Sequence, residues 1–283
     1  ADGLAFGAMP EIAQRHALRL RWVALVHHPL HLETGLGDAQ REALFASERR
    51  ALAAARRVVV TSAATAGHLA AFDVPPNRMA VVVPACDTAP QATGSGEAGV
   101  NLLCVATLTP RKGHALLLDA LAALRDRAWT LHCVGSFARD AATVAQVREA
   151  IDTLGLQGRV HLHGELDDAA LARRYHEADA FVLASHFEGY GMVFAEALAH
   201  GLPVMGTRTG AAAQLVPPEA GVLVPPGDAA ALRDALAALI DDPVHRAALA
   251  RGARAARAGL PSWPDACARF TAVLDSLAAE ALP

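Results

Sequence analysis

The stretch VNLLCVATLTPRKGHALLLDALAALRDRAWTLHCV, residues 100–134, decides the fold. Its first apolar run predicts a strand over 102–106. The alanine- and leucine-rich middle predicts a helix over 114–125, and the end a strand over 130–134. A strand, a helix of that length and a second strand make a right-handed βαβ unit, which commits both strands to a parallel sheet. The pattern continues outward. Strands are predicted at 160–163, 181–184, 203–206 and 222–224, with helices at 143–154, 168–178, 192–200 and 229–240. Parallel sheets of this class bind ligands beyond the carboxyl ends of their strands, so the loops after the strands are where chemistry belongs.

The N-terminal part is sparser. It predicts a strand near 22–26, a helix over 38–55 and strands at 58–61 and 80–83. Hydroxyls in Thr61-Ser62-Ala63-Ala64-Thr65 suit the cap of a helix running to Phe72. The segment TAPQATGSGEAG, residues 88–99, reads as a linker, and an amphipathic helix is predicted over 265–279, behind Pro261 and Pro264. The domain reading is therefore a first lobe at 1–92, a second at 99–259, and a C-terminal helix at 262–283 that returns to the first lobe.

Composition narrows the functional classes. In 283 residues, 53% are hydrophobic and 19% charged, so a sizeable core forms and general disorder is excluded. Lys+Arg total 25 against 29 Asp+Glu, a net charge of -4, which argues against general nucleic-acid binding. No apolar run long enough for a membrane span is visible. Cys86, Cys104, Cys133 and Cys267 stand far apart without Cys/His ligand spacing, which predicts buried reduced thiols and a cytoplasmic location.

Two constellations carry chemistry. The first is Thr107-Leu108-Thr109-Pro110-Arg111-Lys112-Gly113-His114, directly after a strand and opening a helix. Two cations at a helix start are unfavourable without an anion, and the free N–H groups there favour one. Lys112 is the only lysine of the chain, a compact rotatable ammonium where point contact with a phosphate would want it. The second is Ser185-His186-Phe187-Glu188-Gly189-Tyr190-Gly191, after the apolar run ADAFVLA and ahead of a helix containing Glu196. Glycines on both sides of Tyr190 let the turn present backbone N–H groups, and paired carboxylates can grip sugar hydroxyls.

LTPRKGH (108–114) followed by EGYGMVFAEALAHGLPV (188–204) resembles the phosphate motif and the Glu-x7-Glu motif of the retaining glycosyltransferases of family 4, in the GT-B superfamily. The resemblance extends over VVVTSAATAGHLAAFDVPPNRMAVVVPACD (58–87) and covers most of the chain from about residue 22. It departs at Ala106, Thr107 and Ala85, where the family has glycine, arginine and glycine. The resemblance implies an α/β fold of two Rossmann-like lobes with parallel sheets facing across a cleft. It implies transfer of a sugar from a nucleotide-diphosphate donor to an acceptor hydroxyl, with retention and without a metal or other cofactor. Arg111 and Lys112 would bind the donor diphosphate, Glu188 would contact the transferred sugar and Glu196 the ribose. Gly189, Tyr190 and Gly191 would offer sugar contacts, and His163, within HLHGE (161–165), would lie near the base.

A third constellation, VHHPLHLETG (26–35), places histidines at a strand end, where the family often has an acceptor-side residue. His27 or His28 could orient the acceptor hydroxyl or stabilise charge on the leaving phosphate; local backbone pairing is the alternative. A metal held by His27, His28, His31 and Glu33 is disfavoured, because adjacent strand residues point to opposite faces. No carboxylate is placed for a covalent intermediate, which favours front-face attack by the acceptor.

The first lobe offers only about three strands, fewer than usual, and no glycine-rich turn after its first strand. It is therefore expected to be incomplete, leaving a chain that binds nucleotide diphosphate, transfers sugar poorly and self-associates through an open sheet edge. A nucleotide-sugar-binding module with little turnover is the alternative function. A dehydrogenase or epimerase would need a Gly-x-Gly-x-x-Gly after a first strand, and its absence disfavours that reading. The expected partners are the donor and a glycan, lipid-linked or small-molecule acceptor, not nucleic acid. Peripheral contact with the inner face of a membrane is left open.

Overall fold

The computed structural model describes residues 1–280; the last three residues of the predicted C-terminal segment lie outside the described residues. The chain divides into two compact units. Among the described residues, 1–85, 188–190 and 261–280 form the first, and 86–187 with 191–260 form the second.

The first unit contains α1 (Gly3–Gly7), α2 (Pro10–Arg15), β1 (Val23–Val26), α3 (Asp38–Ala53), β2 (Arg57–Val60), α4 (Ala63–His68) and β3 (Met79–Val81). Its sheet has three parallel strands in the order β1-β2-β3. Val26, Val58 and Val60 project into a core closed by Phe6, Leu52 and Phe72. Ser62 caps α4 by accepting the Thr65 N–H at 3.0 Å. The helix tightens to a 3-10 turn over Leu69–Phe72 and stops at Asp73, the one non-glycine residue with positive φ (56°) among those described.

The second unit contains β4 (Val100–Val105), α5 (His114–Ala122), β5 (Trp129–Val134), α6 (Ala141–Thr153), β6 (Val160–Leu162), α7 (Asp168–Glu177), β7 (Ala180–Leu183), α8 (Met192–Ala199), β8 (Val204–Thr207), α9 (Ala212–Leu215), β9 (Gly221–Val224), α10 (Ala229–Asp241) and α11 (Pro243–Ala256). The chain then returns to the first unit with α12 (Trp263–Ala278). Asp140, Asp167 and Asp228 start α6, α7 and α10 by accepting N–H bonds from Thr143, Ala170 and Ala231. Every residue of β7 and β8 is buried, as expected of strands covered on both faces.

Strand order positions the site. The six parallel strands run β6-β5-β4-β7-β8-β9. The chain winds outward from β4 through β5 to β6, returns to place β7 beside β4, and winds the other way. Connections leaving β4 and β7 in opposite directions open a crevice at their carboxyl ends, the topological switch point of a doubly wound sheet. The alternation read from the sequence is the one observed. Helices α1, α2, α9 and α11 were not predicted. The first three are only 5, 6 and 4 residues long, too short for periodicity to register.

Candidate active site

Both sequence constellations of the second unit begin at that switch point. The loop after β4 passes Ala106, whose N–H donates to Val134 O, and Leu108, whose N–H donates to Ser136 O at 3.1 Å. It then forms a 3-10 turn over Pro110–Lys112, with the Gly113 N–H closing onto Pro110 O. Gly113 has φ +66°, and a Cβ there would strike the Ala184 carbonyl oxygen at the end of β7. Only glycine allows this approach. The two loops are tied directly. The His186 N–H donates to Arg111 O at 2.7 Å, and the Arg111 guanidinium donates to Phe187 O at 3.0 Å. Arg111 therefore fastens the loops together as well as carrying charge. Lys112 follows it, and α5 starts one residue after Gly113.

Beyond Phe187, residues 188–190 belong with the first unit. Gly189 O accepts the Ser62 hydroxyl at 2.8 Å and the Thr65 hydroxyl at 3.3 Å. Gly189 also lies so near the His27 carbonyl that no Cβ fits. Glu188 and Tyr190 flank it, both buried. Gly191 then takes φ +89° as the residue before α8. His27 and His28 point to different partners: His27 Nε2 lies 3.3 Å from Asp2 Oδ2, and His28 Nε2 lies 3.2 Å from Glu33 Oε2.

Glu196, half-buried in apolar α8, accepts a hydrogen bond from Tyr175, whose hydroxyl donates to Oε2 at 2.8 Å. Burial foremost, and the Glu196 charge after it, push the Tyr175 phenol well above its usual range, so it stays a donor. Tyr175 stacks in turn on His200, with centroids 4.6 Å apart. His163 Nε2 lies 2.9 Å from His132 Nδ1, and His161 stacks on His132 at 5.0 Å. Burial first, then Arg174, lowers His132 to about 4, so the His132 ring is neutral near pH 7.

Sequence reading missed His132, Tyr175 and Thr209. His132 and His161 are register partners on neighbouring strands, a proximity that linear spacing does not reveal. Thr209, just beyond β8, is 5% exposed and its hydroxyl has no partner among the described residues. A buried unsatisfied hydroxyl near the strand ends fits a ligand contact. The thiol reading needs correction: Cys104 and Cys133 are buried, whereas Cys86 is half-buried and Cys267 exposed.

Residues 99–242 match the family Glycosyl transferases group 1, and residues 4–90 match Glycosyltransferase Family 4. The chain belongs to the group 1 glycosyl transferases. Among curated relatives, this group 1 chain is 29% identical to MMP alpha-(1->4)-mannosyltransferase of Mycolicibacterium hassiacum, covering 89% of the chain and 64% of that protein. It is 31% identical to D-inositol 3-phosphate glycosyltransferase of Geodermatophilus obscurus, covering 92% and 64%. The chain thus spans less than two thirds of the length of these relatives. Sucrose-phosphate synthase from Thermosynechococcus elongatus superimposes with a TM-score of 0.84 at 24% identity, covering 95% of this chain and 71% of that one. Anabaena HepE in complex with UDP-glucose gives 0.79 at 20% identity, covering 96% and 77%. The α/β fold with parallel sheets is that of the GT-B glycosyltransferases. No helix among the described residues is long and apolar enough to cross a membrane.

Proposed function

We propose that this chain carries the donor site of a retaining glycosyltransferase that moves a sugar from a nucleotide-diphosphate donor to an acceptor hydroxyl. One observation carries the reading: the two family motifs lie on adjacent loops, joined by the Arg111 bonds, at the β4/β7 switch point. In this reading the diphosphate lies against Arg111, Lys112 and the first N–H groups of α5. Preorganised positive charge there stabilises the departing diphosphate as the sugar gains oxocarbenium character. Glu196 takes the ribose hydroxyls with its remaining acceptor capacity. His163 lies near the base.

In the first unit, Glu188 contacts the transferred sugar, with Gly189 and Tyr190 offering backbone groups, as does Gly191 of the second unit. His27 or His28 orients the acceptor hydroxyl. The acceptor attacks the donor's front face, and its proton passes to a departing phosphate oxygen, so no metal or cofactor is required. The test is a panel of UDP- and GDP-sugars, with and without added Mg²⁺ or Mn²⁺, read by nucleotide release, thermal shift and the anomeric configuration of the product. Release that needs neither ion, with retained configuration, is expected. An inverted product refutes the stereochemistry, release that requires Mg²⁺ or Mn²⁺ refutes metal independence, and binding without release shows a binding module instead.

A further inference from the structure

Beneath the loop after β4 lies a second cluster that the proposed transfer does not use. Cys104 and Cys133 are directly paired across β4 and β5, so their side chains leave the sheet on the same face, although 28 residues of sequence separate them. His114, the first residue of α5, brings its imidazole to the same point. Its Nε2 lies 3.9 Å from Cys104 Sγ, and one donor atom from each of the three side chains lies within 4.8 Å of the others. All three residues are buried, at 1%, 2% and 4% exposure. The His114 Nδ1 has no hydrogen-bond partner among the described residues. A buried imidazole so poorly satisfied by its surroundings costs stability and calls for a compensating interaction.

We infer that Cys104, Cys133 and His114 form a binding site for a single thiophilic divalent cation, of which Zn²⁺ is the representative. Two thiolates and one imidazole are soft to borderline donors that suit zinc and exclude magnesium or calcium. Charge also selects the ion. Two thiolates neutralise one divalent cation, so the filled site carries no net charge into the apolar core. Zinc–sulfur bonds of about 2.3 Å and zinc–nitrogen bonds of about 2.0 Å would place tetrahedral ligand atoms about 3.5–3.8 Å apart. The cluster therefore has to contract by about 1 Å or less at each edge, within the reach of side-chain rotation. Three side chains fill three positions and leave the fourth to a small exogenous ligand.

Binding releases the two thiol protons to solvent, and the ion forms two bonds to sulfur and one to nitrogen; nothing is oxidised or reduced. The bound ion would pin the start of α5 to the two strands that precede and follow it.

The experiment uses the whole chain, reduced with a phosphine and stripped with chelator, then titrated with Zn²⁺ against a chromogenic competitor and separately with Co²⁺. One Zn²⁺ per chain is expected, with a rise in Tm, and a thiolate-to-cobalt charge-transfer band in the Co²⁺ titration. Cys104→Ala, Cys133→Ala and His114→Gln should each weaken binding about 100-fold or more. The Cys86→Ala/Cys267→Ala double variant should bind normally. Should a core variant fail to fold, native protein with its accessible thiols blocked by N-ethylmaleimide decides instead, because zinc stoichiometry and the cobalt band must survive blocking. Absence of stoichiometric binding in the unmodified chain, or binding lost with Cys86 and Cys267, overturns the assignment.

Discussion

Replacing Gly113 by alanine separates two costs that the structure sets side by side. Gly113 and Gly227 both adopt left-handed backbone, with φ of +66° and +79°. A Cβ on Gly227 meets nothing within 4 Å, whereas one on Gly113 runs into the Ala184 carbonyl. Gly227→Ala therefore pays only the backbone penalty, about 1–2 kcal/mol. Gly113→Ala pays that and an overpacking cost of about 1–3 kcal/mol, because the loop after β4 must move off the end of β7. The assay is urea unfolding of the second unit, followed at Trp129 with Trp22 and Trp263 replaced by Phe. A gap of about 2 kcal/mol between the variants corresponds to a midpoint lower by about 1 M for Gly113→Ala. The displaced loop carries Arg111, so UDP or GDP affinity should fall in Gly113→Ala and stay unchanged in Gly227→Ala. Equal midpoints and equal affinities would refute the claim that close approach to Ala184 fixes the loop.

By calorimetry, Arg111→Ala and Lys112→Ala should each weaken nucleotide-diphosphate binding about tenfold or more, the worth of a charge-assisted contact of about 1.5–3 kcal/mol. Glu188→Gln should lower kcat more than donor affinity and Glu196→Gln the reverse; the opposite split would exchange their roles. Burial raises Glu48 to about 7, opposed by the Leu30 N–H that its carboxylate accepts and by the His28 charge. Its native form thus holds a proton that the unfolded chain has released, so its contribution is full below pH 4.5 and fades as pH rises to about 7. That change is about 3 kcal/mol, and Glu48→Gln should abolish it in denaturation curves of the first unit. His132 has the opposite sign. Its native value near 4 means that the second unit loses stability as pH falls from about 6.5 toward 4, a slope that His132→Gln should flatten.

Much of the second unit was legible because its strands are continuous apolar runs and its helices lie between turn signals. ADAFVLA is apolar enough to be buried on both faces, and β7 lies at the centre of the sheet. The helix after Asp242 escaped notice although its signals were present: Asp242 accepts the Val244 and His245 N–H groups, and Pro243 opens the helix. Its charged, alanine-rich sequence hides the narrow stripe marked by Leu249 and Ala253. The loops carrying Arg111, Lys112 and Glu188 could be found from chain order alone, since each follows a strand. What linear order could not supply is lateral neighbourhood. Cys104 meets Cys133, and His132 meets His161, only through the registers of β4, β5 and β6. Tyr175 reaches Glu196 by coming from a different helix. The hydroxyls of Ser62 and Thr65 were read as a helix cap, which Ser62 provides, but both also hold Gly189 O.

The placement of the donor diphosphate on the loop after β4 is tested most directly by crystal structures of the chain soaked with UDP and with GDP. The account predicts diphosphate oxygens within hydrogen-bond distance of the Arg111 guanidinium, the Lys112 ammonium and the first N–H groups of α5, with the ribose at Glu196. A diphosphate bound elsewhere, with the 110–114 segment and Glu196 making no contact to the nucleotide, would contradict it.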